Sequence, residues 1–139
     1  MIKIFAKSNS KSVDFLTDRV TSQGELCDVF LSTSVKSIAD FLADAINDGV
    51  KALFMVGNVG ETATTFAETF GLGMFYDKFA EQNMSEYCKL SAIELPSARV
   101  REKLCVLPES FNHFNSTYGY QCAAYGVLGK THVYLLPEE

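Results

Sequence analysis

The segment 51–70, KALFMVGNVGETATTFAETF, most constrains how this chain can fold. Residues 52–56 form a continuous apolar run of strand length, which is typical of a strand covered on both faces at the centre of a parallel sheet. The glycine-spaced residues 57–60 predict a turn directly after that strand. Because a helical pattern follows the turn, the segment predicts a strand–turn–helix unit of an α/β fold.

The helix after the turn has recognisable start and stop signals. Glu61 and Thr62 can open it, with Thr62 as an acceptable N-cap, and Gly71 supplies a C-terminal stop. Phe66 and Phe70 are four residues apart, so they share one side of a helix and are predicted to face the core.

The first turn of this helix is the candidate ligand site. A helix that begins beyond the carboxyl end of a buried strand directs free backbone N–H groups at a crevice, where an anionic group can bind. The spacing matches neither the dinucleotide fingerprint nor the P-loop, and a plain structural connection has the same pattern. Glu61 argues against a phosphate directly over the turn, although it suits the helix dipole. The candidate ligand-binding residues of the turn are Gly57, Asn58, Val59, Gly60, Glu61 and Thr62.

The start of the chain predicts a first strand–helix–strand unit. Residues 2–6 read as a strand, apolar residues recur at helical spacing over 13–20, and Gly24 ends that helix before an apolar strand at 26–31. The small polar residues between the first strand and its helix can cap the helix, and they could also line the mouth of the crevice. These residues are Ser8, Asn9 and Ser10.

The clearest helix is predicted over 34–48. Its apolar residues follow the i, i+3, i+4, i+7 rule from Val35 to Ile46, and Gly49 terminates it. Acidic residues occupy the other side, which indicates a solvated face rather than a metal cluster. Three strands alternating with helices predict a parallel sheet with right-handed crossovers and helices on both faces.

Beyond residue 70 the pattern loosens. Residues 72–76 predict a short strand or an extended connection, and 78–90 has apolar residues at roughly helical spacing. Residues 97–103 predict a brief polar helix, and 109–116 are predicted as a loop.

The end of the chain predicts an antiparallel hairpin. A strand at 118–125 is predicted to stop at Gly126, and 132–136 forms the second arm after a short turn. His132 shares a strand face with alternate residues, so we interpret it as a surface or strand-end histidine. No nucleophile–base pattern surrounds His132 or His113, and neither is predicted to be catalytic.

Length and charge limit the classes of function. At 139 residues, 47% of them apolar, the chain is expected to form one globular domain with a real core. A net charge of −5 with scattered Lys and Arg gives no basic field, so a nucleic-acid partner is not expected.

No apolar run approaches the roughly 18 to 20 residues that cross a bilayer, and the N-terminus lacks a signal-peptide pattern. We therefore expect no membrane association and a cytoplasmic location.

The four cysteines are predicted to be packing residues. They are far apart, contain no C-x-x-C pair, and have only two histidines to complete a metal set. Buried reduced thiols are therefore the interpretation that we favour for Cys27, Cys88, Cys105 and Cys122.

Three passages of the chain together resemble one known family. GNVGET at 57–62 stands where the family has G-G-x-G-P-T, and KLCVLPESFNHFNSTYG at 103–119 resembles a passage with a proline and N-x-x-G, which places Pro108, Asn115 and Gly119 at matching points. GKTHVYLLPEE resembles the family's strand ending in L-P-G. The family is that of the molybdopterin-binding domains, which includes MoaB, MogA and the N-terminal domain of CinA, the competence/damage-inducible protein. The resemblance is best for CinA-type domains over about residues 34 to 139.

The resemblance implies a fold and a site. The expected fold is α/β, a three-layer α/β/α arrangement with a mostly parallel sheet and a C-terminal antiparallel hairpin. Asn115 and Gly119 join the candidate ligand-binding residues.

The chain departs from the family pattern at the acidic position after the turn, which falls here at Thr64 or Thr65. Neither residue can hold a metal or act as a base as a carboxylate can. The second glycine is replaced by Asn58, which restricts close approach by a ligand.

CinA-type domains are associated with metal-dependent hydrolysis of nucleotide pyrophosphates such as ADP-ribose, and MogA-type domains with adenylylation of molybdopterin. The resemblance therefore implies a crevice for a phosphate-bearing nucleotide or pterin, with catalytic chemistry that is lost or much reduced. One alternative is an active pyrophosphatase with a divalent metal as cofactor and carboxylates such as Asp77 or Glu61. Another is an interaction module without a small ligand. Members of the family form dimers, trimers or hexamers, so a homo-oligomer is expected.

Overall fold

Strands and helices alternate through the first half of the chain, and a smaller helical segment precedes a C-terminal hairpin. The computed structural model describes residues 1–113 and 120–138. In chain order the elements are β1 Ile2–Ala6, α1 Lys11–Ser22, β2 Cys27–Leu31, α2 Val35–Asn47, β3 Ala52–Gly57, α3 Val59–Phe70, β4 Met74–Tyr76, α4 Lys78–Leu90, α5 Ala98–Leu104, β5 Val106–Pro108, β6 Asn112–His113, β7 Ala124–Leu128 and β8 Thr131–Pro137.

The main sheet has six strands in the order β2–β1–β3–β8–β7–β6. β1 lies parallel between β2 and β3, and β3 is also parallel to β8. β7 is antiparallel to β8, and β6 is antiparallel to β7. The predicted mostly parallel sheet and C-terminal antiparallel hairpin are confirmed. β4 and β5 form a separate antiparallel pair.

Apolar side chains cover β3 on both faces, because successive residues of a strand point to opposite sides. On one face Val56 packs with Val13 of α1. On the other face Leu53 packs with Leu42 of α2 and Phe66 of α3. The predicted three-layer α/β/α arrangement is therefore confirmed, with α1 on one face and α2 and α3 on the other.

The observed start of α3 corrects one prediction. Asn58 is the N-cap, and its side chain accepts a hydrogen bond from the Glu61 N–H, so the helix begins at Val59 and not at Glu61 or Thr62. Thr62 lies inside the helix, where its hydroxyl donates to the Val59 carbonyl. Asparagine is as good an N-cap as threonine or better, and the earlier start adds a turn to the helix. The predicted end at Gly71 is confirmed, because this residue adopts the left-handed conformation with φ of 64°.

The segment after α3 resolves into short elements. β4 covers 74–76, α4 covers the predicted helical region from Lys78 to Leu90, and α5 follows its N-cap Ser97. The predicted loop at 109–116 contains a short strand, β6, which pairs with β7.

The first arm of the hairpin lies later than the sequence predicts. β7 runs from Ala124 to Leu128 and passes through Gly126, where the predicted strand stops. A Cβ at Gly126 would lie 2.4 Å from Cδ1 of Phe111, so the glycine makes room for an aromatic ring packed on the strand. This long-range packing explains why a residue that usually interrupts strands is central in this one.

Three of the four cysteines, Cys88, Cys105 and Cys122, are buried, Cys27 is half-buried, and none of the four, all of them among the described residues, forms a disulfide. Within residues 1–113 and 120–138, no three or more His, Cys, Asp or Glu side chains form a group that could hold a metal ion. In the same residues, no helix has both the length and the apolar character that spanning a membrane requires.

Candidate functional site

A crevice opens where the chain leaves β1 and β3 towards opposite faces of the sheet. β1 leads into α1 on one face, and β3 leads into α3 on the other. This divergence is the topological switch point at which open α/β sheets characteristically bind ligands. The crevice has a volume of about 190 Å³ and is lined by Phe5, Lys7, Ile38, Val56, Gly57, Asn58, Glu61, Thr62, Thr65 and Glu138.

Side chains of the protein occupy two of the amides at the start of α3. The Glu61 N–H donates to Oδ1 of Asn58 at 3.0 Å, and the Val59 N–H donates to Oε1 of Gln121 at 3.0 Å. The Gln121 carboxamide also donates to Oδ1 of Asn58 at 3.3 Å. A ligand anion would therefore have to displace a carboxamide to reach these two N–H groups. The sequence predicted free amides here, and this expectation is corrected for Val59 and Glu61.

Gly60 belongs to the packing of α3 against α5. A Cβ at this position would lie 2.1 Å from the backbone oxygen of Lys103 and 2.9 Å from Cα of Leu104, which is closer than real Cβ contacts come. The glycine therefore permits a close approach of the α3 backbone to the end of α5. In the sequence this glycine suggested room for a ligand, whereas in the structure it allows α3 to pack closely against α5.

The electrostatics of the crevice centre on one ion pair. Nζ of Lys7, just after β1, pairs with Oε1 of Glu61 in the first turn of α3, and both side chains are about half exposed. Glu138, just after β8, adds a second carboxylate to the lining. The Glu138 N–H donates to the Gly57 carbonyl at 3.2 Å, which holds the end of β8 beside the crevice. Lys7 is the single cationic side chain among the described lining residues, facing two carboxylates.

The small polar residues after β1 divide between two roles. The hydroxyl of Ser10 accepts from the Val13 N–H at 3.3 Å and caps α1. Ser8 and Asn9 are exposed between β1 and α1 and are not part of the crevice lining. Asn115 and Gly119 lie outside the described residues.

A second concavity adjoins the crevice on the other side of α3. It is a groove of about 620 Å³ with apolar walls from Met74, Leu104 and Val106. Asn58, Glu61 and Thr65 line both the crevice and the groove, so the exposed first turns of α3 form the ridge between them.

Asp77, which the sequence suggested as a carboxylate for catalysis, lies away from the crevice. It is 5% exposed, its Oδ1 accepts from the Phe79 N–H at 3.1 Å as the N-cap of α4, and its Oδ2 lies 3.2 Å from Nδ1 of His113. The pair borders a cavity of about 10 Å³, the space of a single water molecule, together with Val59. Asp77 and His113 thus join α4 to β6, and the sequence predicted no contact between them.

Sequence reasoning missed Gln121 and Glu138. Gln121 is 62 residues from Val59 along the chain, so no local pattern connects the two. Glu138 follows the last strand, and its position became a candidate only once β8 was found beside β3.

The architecture and the switch-point crevice define an α/β/α domain whose fold is similar to that of known proteins. The crystal structure of the protein CinA, with unknown function, from Thermoplasma acidophilum is similar with a TM-score of 0.74 at 15% identity, over 98% of this chain and 86% of that chain. The Mog molybdopterin biosynthesis protein from Mycobacterium ulcerans gives a TM-score of 0.49 at 16% identity, over 99% of this chain and 80% of that chain. A molybdopterin biosynthesis protein from Mycobacterium abscessus gives 0.48 at 14% identity, again over 99% of this chain and 80% of that chain.

A scan of protein-family models gave no match, and a search of curated protein sequences gave none either. The likeness to CinA therefore concerns the fold, and it confirms the CinA-like architecture that the sequence resemblance implies.

Proposed function

We propose that this chain is a binding domain that takes a phosphate-bearing nucleotide or pterin into the crevice, and that its catalytic chemistry is lost or much reduced. The observation that carries the proposal is the position of Lys7. It is a half-exposed ammonium at the topological switch point, beside the Asn58 carboxamide and the start of α3.

The contact between Lys7 and Glu61 leaves the cation available. Both side chains are about half exposed, and ion pairs of this kind contribute about 0–1 kcal/mol. A phosphate group carries more negative charge than one carboxylate, so it competes effectively for the ammonium. Glu61 then turns into solvent, and the phosphate lies between Lys7 and Asn58.

The groove beside the crevice suits the rest of such a ligand. Small-molecule sites usually measure about 300–1,000 Å³ and combine apolar walls with a few polar groups. The crevice of about 190 Å³ is small for a whole nucleotide, and the groove of about 620 Å³ lies across the α3 ridge from it. A planar ring can lie against Met74 and Leu104 while its phosphate reaches Lys7.

The described residues of the crevice offer little for hydrolysis. Thr65 contributes a hydroxyl to the lining, whereas Thr64 lines the neighbouring groove and donates its hydroxyl to the Gly60 carbonyl at 2.8 Å within α3. Neither group ionises near neutral pH or binds a metal as a carboxylate does. The crevice lining holds two carboxylates, of which Glu61 pairs with Lys7, and within residues 1–113 and 120–138 no three metal-ligating side chains come together.

A ligand-induced shift of the melting temperature tests the binding. ADP-ribose, AMP, a pterin phosphate and pyrophosphate are each added at millimolar concentration to the wild type and to Lys7→Gln. We expect at least one of the four to stabilise the wild type, Lys7→Gln to lose most of the shift, and Glu61→Gln to increase it by releasing the lysine.

Lys51→Gln is the matched control, since Lys51 is also exposed and pairs with Glu25 at 2.6 Å, at the opposite end of β3. It should keep the wild-type shift. Absence of any stabilisation, or equal shifts in Lys7→Gln and the wild type, contradicts the proposal. Formation of AMP and ribose 5-phosphate from ADP-ribose with a panel of divalent metals addresses catalysis, and sustained turnover above blank would contradict the loss of activity.

A further inference from the structure

The side-chain carboxamide of Asn58 is held in one orientation by backbone N–H groups. A backbone N–H can only donate a hydrogen bond, so it identifies the oxygen of any carboxamide that it meets. The Val59 N–H donates to Oε1 of Gln121 at 3.0 Å, which leaves Nε2 of Gln121 to donate to Oδ1 of Asn58 at 3.3 Å. The Glu61 N–H reaches the same Oδ1 at 3.0 Å. The oxygen and the nitrogen of both carboxamides are therefore fixed by the hydrogen bonds themselves.

The same hydrogen bonds leave the side-chain nitrogen of Asn58 open to a ligand. A carboxamide oxygen accepts two hydrogen bonds, and Oδ1 of Asn58 already accepts two. Within residues 1–113 and 120–138, Nδ2 of Asn58 has no hydrogen-bond partner. Asn58 is exposed and lines both the crevice and the groove. Its two side-chain N–H donors therefore stand on the ridge between the two concavities.

We propose that Nδ2 of Asn58 donates a hydrogen bond to a phosphate oxygen of the ligand, and that Gln121 is the positioning residue that keeps this nitrogen turned towards the crevice. This role rests on the proposed function, because it concerns the same phosphate. Lys7 supplies the charge, and Asn58 supplies a directed donor. Both groups only donate, so the pair selects an ionised oxyanion, which only accepts.

This arrangement lets the crevice hold a phosphate although two amides of α3 are occupied. The carboxamide at the Val59 N–H need not be displaced, because the phosphate meets the Asn58 side chain and not the helix backbone. The family pattern has glycine at position 58, and glycine has no side chain that could donate. The asparagine thus gives this chain a donor that the pattern lacks.

Gln121 can hold Asn58 in place because it is itself anchored. The adjacent Cys122 is 4% exposed and lines the small cavity beside Cys105, and Oε1 of Gln121 is fixed by the Val59 N–H. Without Gln121, Oδ1 of Asn58 loses one of its two donors. The last side-chain torsion of asparagine is broad, so the carboxamide can then rotate and turn its nitrogen away from the crevice.

Titration calorimetry with pyrophosphate and with AMP compares the wild type with two neutral variants. Asn58→Ser keeps a side-chain oxygen that caps α3 but has no NH₂ group, and Gln121→Met keeps the length of the side chain without its donor. We expect each variant to bind both probes roughly tenfold more weakly than the wild type. Gln82→Met, at an exposed position of α4, is the matched control and should bind like the wild type.

The outcomes separate this role from the proposed function. Wild-type affinity in Asn58→Ser overturns the donor role, and wild-type affinity in Gln121→Met overturns the positioning role. Both results leave binding at the crevice intact. A wild type that binds neither probe nor any other phosphate compound overturns the proposed function and this role together.

The side-chain NH₂ signals of Asn58 in a nitrogen–proton correlation spectrum distinguish positioning from stability. Loss of Gln121 also releases the Val59 N–H, so Gln121→Met should lower the melting temperature whatever its role at the crevice. Pyrophosphate should shift the Asn58 NH₂ signals of the wild type, and at equal saturation it should shift those of Gln121→Met less. Equal shifts in the two proteins would reduce Gln121 to a structural contact and overturn its positioning role.

Discussion

At the scale of single residues, Cys105 links burial to alkaline stability. The residue is 1% exposed at the end of α5, and burial raises the pKa of its thiol from the ordinary 9.0 to about 11, with the nearby carboxylate of Glu81 adding to the shift. The folded state thus keeps a proton that the unfolded state loses between pH 9 and pH 11. Stability must fall as the pH rises through this window.

We expect the free energy of unfolding of the wild type to decrease by on the order of 2 kcal/mol between pH 8 and pH 11 because of this thiol. Urea unfolding under reducing conditions at several pH values measures the slope. Cys105→Ala and Cys105→Ser cannot ionise there, so both should show a flatter profile even if they are less stable at neutral pH. An unchanged slope in both variants would show that Cys105 does not control the alkaline transition. Burial also raises the pKa of Tyr76 to about 12, so the ionisation of this tyrosine affects stability at higher pH than that of Cys105.

At the scale of elements, the start of α3 depends on two carboxamides. Asn58 caps the helix from the adjacent turn, and Gln121 binds the Val59 N–H from a segment next to β7. The cap therefore joins consecutive elements, and the glutamine joins α3 to the distant hairpin.

Asn58→Ala is expected to lower the free energy of unfolding by about 1–2 kcal/mol, because it leaves the Glu61 N–H without its acceptor and removes a partner of Gln121. Asn58→Ser should restore most of the loss, since serine is also a good cap. Asn47→Ala, at an exposed position of α2, is the matched control and should change stability by less than about 0.5 kcal/mol. Similar losses in Asn58→Ala and Asn47→Ala in urea unfolding would count against the capping role.

At the scale of the whole molecule, packing is uneven between the main sheet and the segment after α3. β3 is paired on both sides, and its Leu53 and Met55 are 0% exposed between the helical layers. α4 buries only Met84 and Cys88 along its 13 residues. Elements with few buried side chains open at a lower free energy than the core.

Native-state hydrogen exchange should therefore show the slowest amides in β1, β3 and β8 and faster exchange in the middle of α4. Adding low concentrations of urea should leave α4 exchange nearly unchanged while it accelerates exchange in β3, which opens only on global unfolding. Exchange of α4 amides at the same free energy as β3 would instead mean that the two regions unfold together.

Local sequence patterns are sufficient to predict some of the elements. These are the central strand, the three helices of the first half and the terminal hairpin. The run at 52–56 is apolar at every position, which suits only a strand covered on both faces, and the 3.6-residue period of α2 needs no distant information. The strand β7 was predicted too early in the chain because glycine usually interrupts strands, whereas Gly126 here accommodates the ring of Phe111.

The sequence by itself determined the layers, the parallel direction of the first strands and the crevice beyond β3, since periodicity, turn residues and the handedness of crossovers act over short distances. The tertiary structure alone decided which amides of α3 stay available, because Gln121 reaches Val59 from 62 residues away. It likewise decided that Lys7 faces Glu61. Each of these depends on which segments lie side by side, and that follows from the packing of the whole chain.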